Sequence, residues 1–318
     1  MTKLELAGRL GGRFERYLAE ARALPPIPVA VVHPCNPESL TAAIEAREEG
    51  LIDPILVGPI AKIESAAAAA RLNLGGVKIE SVEHSHAAAA HAVELASSGK
   101  VAALMKGSLH TDELLGAVLA TGSGLRTERR MSHIFVLDMP VYQKLLLVTD
   151  AAINIAPTLD QKRDIVQNAI DFLHAIGIPQ PLVAVLAAVE TVNSAMQATL
   201  DAAALTVMAK RGQITGAIVD GPLAFDNAVN VDAARIKEIS SPVAGKPDVL
   251  VVPNLEAGNM LAKQMIYFAG ADAAGLALGA RVPIILTSRS DSLKARLASA
   301  ALAKLMAMRR AAALTSAV

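Results

Sequence analysis

Ser288, Arg289 and Asp291 fall within four residues of one another in Thr287-Ser288-Arg289-Ser290-Asp291-Ser292. A hydroxyl, a guanidinium and a carboxylate in one turn suit a reaction that handles phosphate and moves a proton. The planar fork of guanidinium donors matches phosphate oxygens, and a carboxylate can take a proton. The same residues could equally cap a helix beginning at Leu293, through Ser290 or Asp291. Ahead of the turn, the apolar run 282–286 reads as a buried strand. An earlier run, 249–252, breaks at Pro253-Asn254 and leads into a helix with Gly258-Asn259 near its start, and the Gly-rich segment 270–279 joins the two. Strands that finish on polar or glycine-containing turns place ligand groups at the carboxyl edge of an open α/β sheet. That edge is expected to form half of an active site.

Further turns carry polar groups at the same kind of place. Lys106-Gly107-Ser108 separates a strand at 101–105 from a helix at 111–119, so Lys106 and the amides near Gly107 are candidates to hold an anion. Asn259 and the amides around Gly258 are candidates for the same task. Asp220 follows a strand at 216–219 and could orient an arginine or a substrate. His84, His86 and His91 do not share a helix face at their spacing and are not read as metal ligands. Cys35 is the single cysteine, which excludes an internal disulfide and multi-cysteine metal sites, and it reads as a buried thiol.

The elements that position these residues alternate in type. After an amphipathic helix at 4–23, strands at 27–32, 55–57, 77–79 and 101–105 are separated by helices at 38–50, 60–72 and 85–97. Strands at 132–138 and 144–149 resemble a hairpin. Helix 159–176, strand 182–186, helix 193–211 and strand 216–219 then resume the alternation, and an Ala/Leu-rich helix at 293–312 closes the chain. The alternation predicts mostly parallel, doubly wound sheets with helices on both faces. At 318 residues two domains of ordinary size fit, the first at 1–140 plus 277–318 and the second at 141–276.

Hydrophobic residues make up 53% of the chain and charged ones 19%, which excludes a disordered protein. Lys+Arg and Asp+Glu are both 30 with no basic block, and aromatics are 3% without tryptophan, so nucleic acid is not an expected partner. No apolar run reaches the ~18 residues of a membrane span, and the start of the chain is not signal-like. A soluble, cytoplasmic protein is expected.

The segments LMKGSLHTDELLGAVL (104–119), GLRTERRMSHIFVLDMP (124–140), VTDAAINIAPTLDQKRDIVQNA (148–169), VDGPLAFDNAV (219–229), PDVLVVPNLEAGNMLAKQM (247–265) and the final TSRSDS carry a resemblance. In that order they resemble the phosphate acetyltransferase and phosphate butyryltransferase family, and look closer to its butyryl-type branch. The resemblance implies two doubly wound α/β domains with a cleft between them, the architecture of isocitrate and isopropylmalate dehydrogenases, usually as a homodimer. It implies reversible transfer of a short acyl group, acetyl to butyryl, between coenzyme A and inorganic phosphate, without metal or resident cofactor.

By the same resemblance Asp291 is the general base for the coenzyme A thiol. Arg289 holds phosphate, Ser288 donates a hydrogen bond, and Arg126 supplies a second phosphate contact. A free carboxylate titrates near ~4 and a thiol near ~8.5, so Asp291 is a weak base that relies on Arg289 to stabilise charge. Two other functions compete. A hydroxy-acid dehydrogenase of related architecture lacks support, because no G-x-G-x-x-G follows the first strand. A non-catalytic binder of coenzyme A or acyl phosphate is opposed by the joint presence of Ser288, Arg289 and Asp291.

Overall fold

The computed structural model of the chain describes residues 12–288 and 291–316, with side chains as far as Ala312. Two compact units emerge, here called the first unit (Phe14–Glu128 with the chain from Ala274 onward) and the second unit (Arg129–Ala273, joined among the described residues by Gly12 and Arg13). The sequence reading places the changeovers at 140 and 276.

In chain order the first stretch runs α1 (Gly12–Arg22), β1 (Ile27–Val32), α2 (Pro37–Glu48), β2 (Ile52–Gly58), α3 (Ile60–Ala70), β3 (Lys78–Ser81), α4 (Ser85–Ser97), β4 (Ala103–Lys106) and α5 (Thr111–Leu119). The middle of the chain runs β5 (Ser132–Asp138), β6 (Leu146–Thr149), α6 (Leu159–Ala175), β7 (Leu182–Leu186), α7 (Gln197–Lys210), β8 (Ile218–Leu223), α8 (Phe225–Val229), α9 (Val231–Ile236), β9 (Val249–Val251) and α10 (Leu255–Tyr267). It closes with β10 (Asp272–Leu278), β11 (Ile284–Ile285) and α11 (Leu293–Ser316). Of the first expected helix, Leu4, Leu6 and Leu10 lie outside the described residues; Phe14 and Leu18 are buried in α1.

The strands of the first unit lie in the order β3-β2-β1-β4-β11-β10, parallel except for β10, which runs antiparallel to β11. Those of the second unit follow β5-β6-β9-β7-β8, with β5 antiparallel at one end. Central strands are apolar throughout because helices cover both faces, and Val29 to Val32, Leu104, Val148, Val249 and Leu250 are sealed from solvent. Helix starts follow local chemistry. Asn36 Oδ1 accepts from Ser39 N at 3.1 Å with Pro37 in the first turn, and Thr158 and Gln161 form a reciprocal cap on α6.

Several sequence expectations change. The Gly-rich segment 270–279 is mostly a strand, β10, whose small residues hide its pattern. Gly275 there receives support from α11, its N–H donating to Ser299 Oγ at 3.0 Å. The expected strand at 216–219 extends to Leu223, and α8 and α9 had no sequence counterpart. Lys304, on the last helix, is fully buried and donates from Nζ to Leu24 O at 2.8 Å and Gly50 O at 2.9 Å. A lysine inside an apolar helix thus ties two chain turns of the first unit to α11.

Candidate active site

Three parallel strands of the first unit deliver their carboxyl ends side by side. Val32 lies beside Lys106, and Ile285 beside Met105, so β1, β4 and β11 open into turns at His33, Gly107 and Leu286-Thr287-Ser288. The close spacing of the first two depends on glycine. A Cβ on Gly107 would stand 2.4 Å from Val32 O and 2.6 Å from His33 O.

The turn after β11 is organised by Asp291. Its Oδ2 accepts the N–H of Ser288 at 2.7 Å, and Asp291 N donates back to Ser288 O at 3.2 Å. Helix α11 begins immediately afterwards with Ser292 Oγ accepting from Ala295 N at 3.2 Å. Capping therefore falls to Ser292, and the carboxylate of Asp291 serves the turn instead. Arg296, one turn into α11, donates from Nη2 to Ser288 O at 3.1 Å and from Nε to Asp291 O at 3.4 Å. Burial pulls its guanidinium below the ordinary range, against the attraction of Asp291 and Glu38. Asp291, Arg296, Glu38 and Thr41 line a recess of about 370 Å³. Arg289 and Ser290 lie outside the described residues.

Lys106 is brought to the same edge and is buried, its Nζ 3.5 Å from Gly107 O. The amides expected to hold an anion there are already committed. Gly107 N donates to Val32 O and Ser108 N to His33 O, each at 2.9 Å, while His110 N donates to Glu113 Oε1 at 3.3 Å. Cross-strand bonding wins over anion binding at this turn, so Gly107 has a packing role. Arg126 is exposed and bridges Ala280, in the connection that precedes β11. Ser288 and Asp291 follow that strand, so Arg126 stands at the opposite end of β11 from them.

In the second unit, Asn254 Oδ1 caps α10 through Ala257 N at 2.9 Å, and Asn259 Nδ2 donates to Ala151 O at 3.1 Å. Gly258 N is used inside the helix, on Asn254 O at 3.1 Å. Its missing side chain lets α10 approach, since a Cβ there would meet Asp150 O at 2.5 Å. Asp220 lies inside β8, paired with Ala184, and not in a turn after it.

The residues 83–304 match the family model described as phosphate acetyl/butaryl transferase. The chain belongs to this family. It is an acyltransferase. It is 60% identical to the phosphate acetyltransferase of Rhizobium meliloti over 96% of this chain and 97% of that protein. It is 41% identical to the phosphate butyryltransferase of Clostridium beijerinckii, over 93% and 98% of the two chains. Sequence likeness to the butyryl-type branch therefore does not separate the names. Among solved structures, a branched-chain phosphotransacylase from Enterococcus faecalis V583 superposes with a TM-score of 0.78 at 30% identity, covering 88% of this chain and 99% of that one. A 4-hydroxythreonine-4-phosphate dehydrogenase from Klebsiella pneumoniae, at 14% identity and a TM-score of 0.54, shares the fold alone.

Two parts of the acyltransferase's edge were missed in the sequence. Arg296 carries no turn signal and its role appears only when α11 folds back on Ser288. The other is a cluster at the end of β1. Ser108 Oγ lies 3.1 Å from His33 Nδ1 and accepts from Cys35 N at 3.3 Å. Cys35 is half-buried, and burial pushes its thiol up to about 11, so it is no nucleophile at neutral pH. The three histidines near 84–91 each have a separate task. His84 caps α4 through Ala87 N at 3.1 Å, His86 approaches Glu113 at 3.3 Å, and His91 joins Glu80 and Glu94. No helix among the described residues is long and apolar enough to cross a membrane.

Proposed function

We propose that this acyltransferase moves an acetyl group reversibly between coenzyme A and inorganic phosphate, with propionyl and butyryl as poorer substrates. The observation that carries the reading is the Ser288–Asp291 turn, held on β11 by its own carboxylate and by Arg296, in a chain 60% identical to a phosphate acetyltransferase along almost all its length. When thiolate sulfur attacks an acyl phosphate, negative charge grows on the carbonyl oxygen and on the leaving phosphate. Ser288 and Arg289 stabilise that charge, with Lys106 as a further cation at the edge. Asp291 accepts the thiol proton through the carboxylate oxygen not engaged by Ser288 N. Asn259 and Asp220 are assigned as polar contacts to substrate, and the chain works as a homodimer in the cytoplasm with no resident cofactor. Arg126 and Gly107 are given no contact with the reacting atoms.

The test is thiol release from acetyl-, propionyl- and butyryl-coenzyme A with and without inorganic phosphate. Phosphate-dependent release that is fastest with acetyl supports the reading, and a butyryl optimum would reassign the acyl chain. Thiol release independent of phosphate, or none, would sink it.

A further inference from the structure

The acyltransferase reading leaves one chemical mismatch, and the inference that follows rests on that reading. A carboxylate near ~4 is poorly matched to a thiol near ~8.5, whereas an imidazole near ~6.5 stands closer. An imidazole is present at the edge. His33, the residue after β1, has a φ of 53°, a left-handed conformation that few side chains adopt.

Its orientation is set by Ser108. The Ser108 hydroxyl donates to His33 O at 2.8 Å and accepts from Cys35 N at 3.3 Å. A serine hydroxyl has one proton, and here it is used on His33 O. The 3.1 Å contact between Ser108 Oγ and His33 Nδ1 is therefore an Nδ1–H donating to oxygen. Assigned from this network, the tautomer leaves the lone pair on Nε2. The ring is partly exposed, and among the described residues Nε2 has no hydrogen-bond partner. A base oriented by a third group, with its reactive nitrogen open, is the arrangement that activates a nucleophile.

Its place in the sheet agrees. Continuing the register of β1, β4 and β11 by one or two residues sets His33, Gly107 and Thr287 in one row. With strands ~4.8 Å apart, His33 then stands roughly 10 Å from the Ser288 turn, a span that a thiol and an acyl phosphate can fill together. The charged and titratable groups acting on the ring are Lys62 of α3 and Glu113 of α5. Burial first, then Lys62, hold the imidazole below its ordinary value against the opposing pull of Glu113, so it is neutral at neutral pH.

We infer that His33 Nε2 is a second acceptor for the coenzyme A thiol proton, beside Asp291. The S–H proton passes to Nε2 as sulfur bonds to the acyl carbon and the carbon–oxygen bond to phosphate breaks. The imidazolium proton then goes to the departing phosphate, giving acyl-coenzyme A and hydrogen phosphate with nothing left over.

The experiment follows thioester formation from acetyl phosphate and coenzyme A in wild type, His33→Asn and Ser108→Ala from about pH 4.5 to 8.5, with melting temperatures alongside. Asparagine accepts the left-handed backbone, which separates loss of the imidazole from loss of the turn. Expected are a wild-type kcat/KM that falls on the acid side through a group below 6.5, and a His33→Asn enzyme slower by about 10²-fold whose acid limb drops to the carboxylate range. Ser108→Ala, which keeps the ring but removes its orienting partner, shifts the limb and lowers the rate. A His33→Asn enzyme with the wild-type rate and limb overturns the inference, as does a slower enzyme whose limb is unmoved and whose melting temperature has fallen. Absence of thioester formation in wild type would instead remove the acyltransferase reading beneath it.

Discussion

The Ser288 N–H donates to Asp291 Oδ2 at 2.7 Å, while Arg296 Nη2 donates to Ser288 O at 3.1 Å. One peptide unit on either side of Ser288 is thus gripped by a charged side chain. The grip gives Asp291 two duties, structural and chemical, which substitution can separate.

Asn at 291 keeps an oxygen for the Ser288 N–H but cannot take a proton. Asp291→Asn is expected to lower kcat by about 10²-fold with KM near wild type. Asp291→Ala also releases the Ser288 amide, and is expected to raise KM as well. Steady-state kinetics of phosphate-dependent thiol release distinguish the two. A wild-type rate in Asp291→Asn with an impaired Asp291→Ala would leave the carboxylate a purely structural task.

The pairing of Glu80 with His91 makes a pH-dependent contribution to stability with a definite sign. The His91 hydrogen bond, then Lys78, hold Glu80 at about 2 against an ordinary 4.5, and Glu80 raises His91 above 6.5. Glu80's share is present above 4.5 and fades as pH falls toward 2. His91's share is complete below 6.5 and fades as pH rises through its raised value. The melting-temperature gap between wild type and His91→Gln should therefore be widest between those limits and shrink on both sides. A gap that grows steadily toward alkaline pH would contradict the assignment.

Lys304→Met fills the same space but abandons two half-buried carbonyls, Leu24 O and Gly50 O. A fully buried carbonyl without a partner costs about 1–3 kcal/mol; for two half-buried ones the low end applies, so the variant should lose roughly 1–2 kcal/mol in denaturant unfolding. Unchanged stability would mean that water enters to serve both carbonyls.

Legibility in the sequence followed the range of the interaction. Strands such as Leu182–Leu186 and helices such as Ser85–Ser97 and Thr111–Leu119 were readable to the residue, because their apolar runs and caps are local. Strand β10 was not, since alanine and glycine carry no β-pattern and it takes long-range pairing, with β11 among its partners, to make it a strand. The same limit governs the edge. Ser288 and Asp291 are neighbours in sequence and were found together; Arg296 and the His33–Ser108 contact need folding to meet. Gly107 was noticed as an anion turn, yet its amide is claimed by Val32 O, a bond that no local pattern announces.

The first unit is made from two stretches of chain with the whole of Arg129–Ala273 between them. Strand β11, which places Ser288, pairs with β4 and arrives only after that interval has been synthesised. A nascent chain can complete the strands β5 to β9 of the second unit from contiguous residues while the first still lacks the strands at one side of its sheet. The row that joins His33 to Thr287 therefore cannot close until the second unit's residues have been added to the chain.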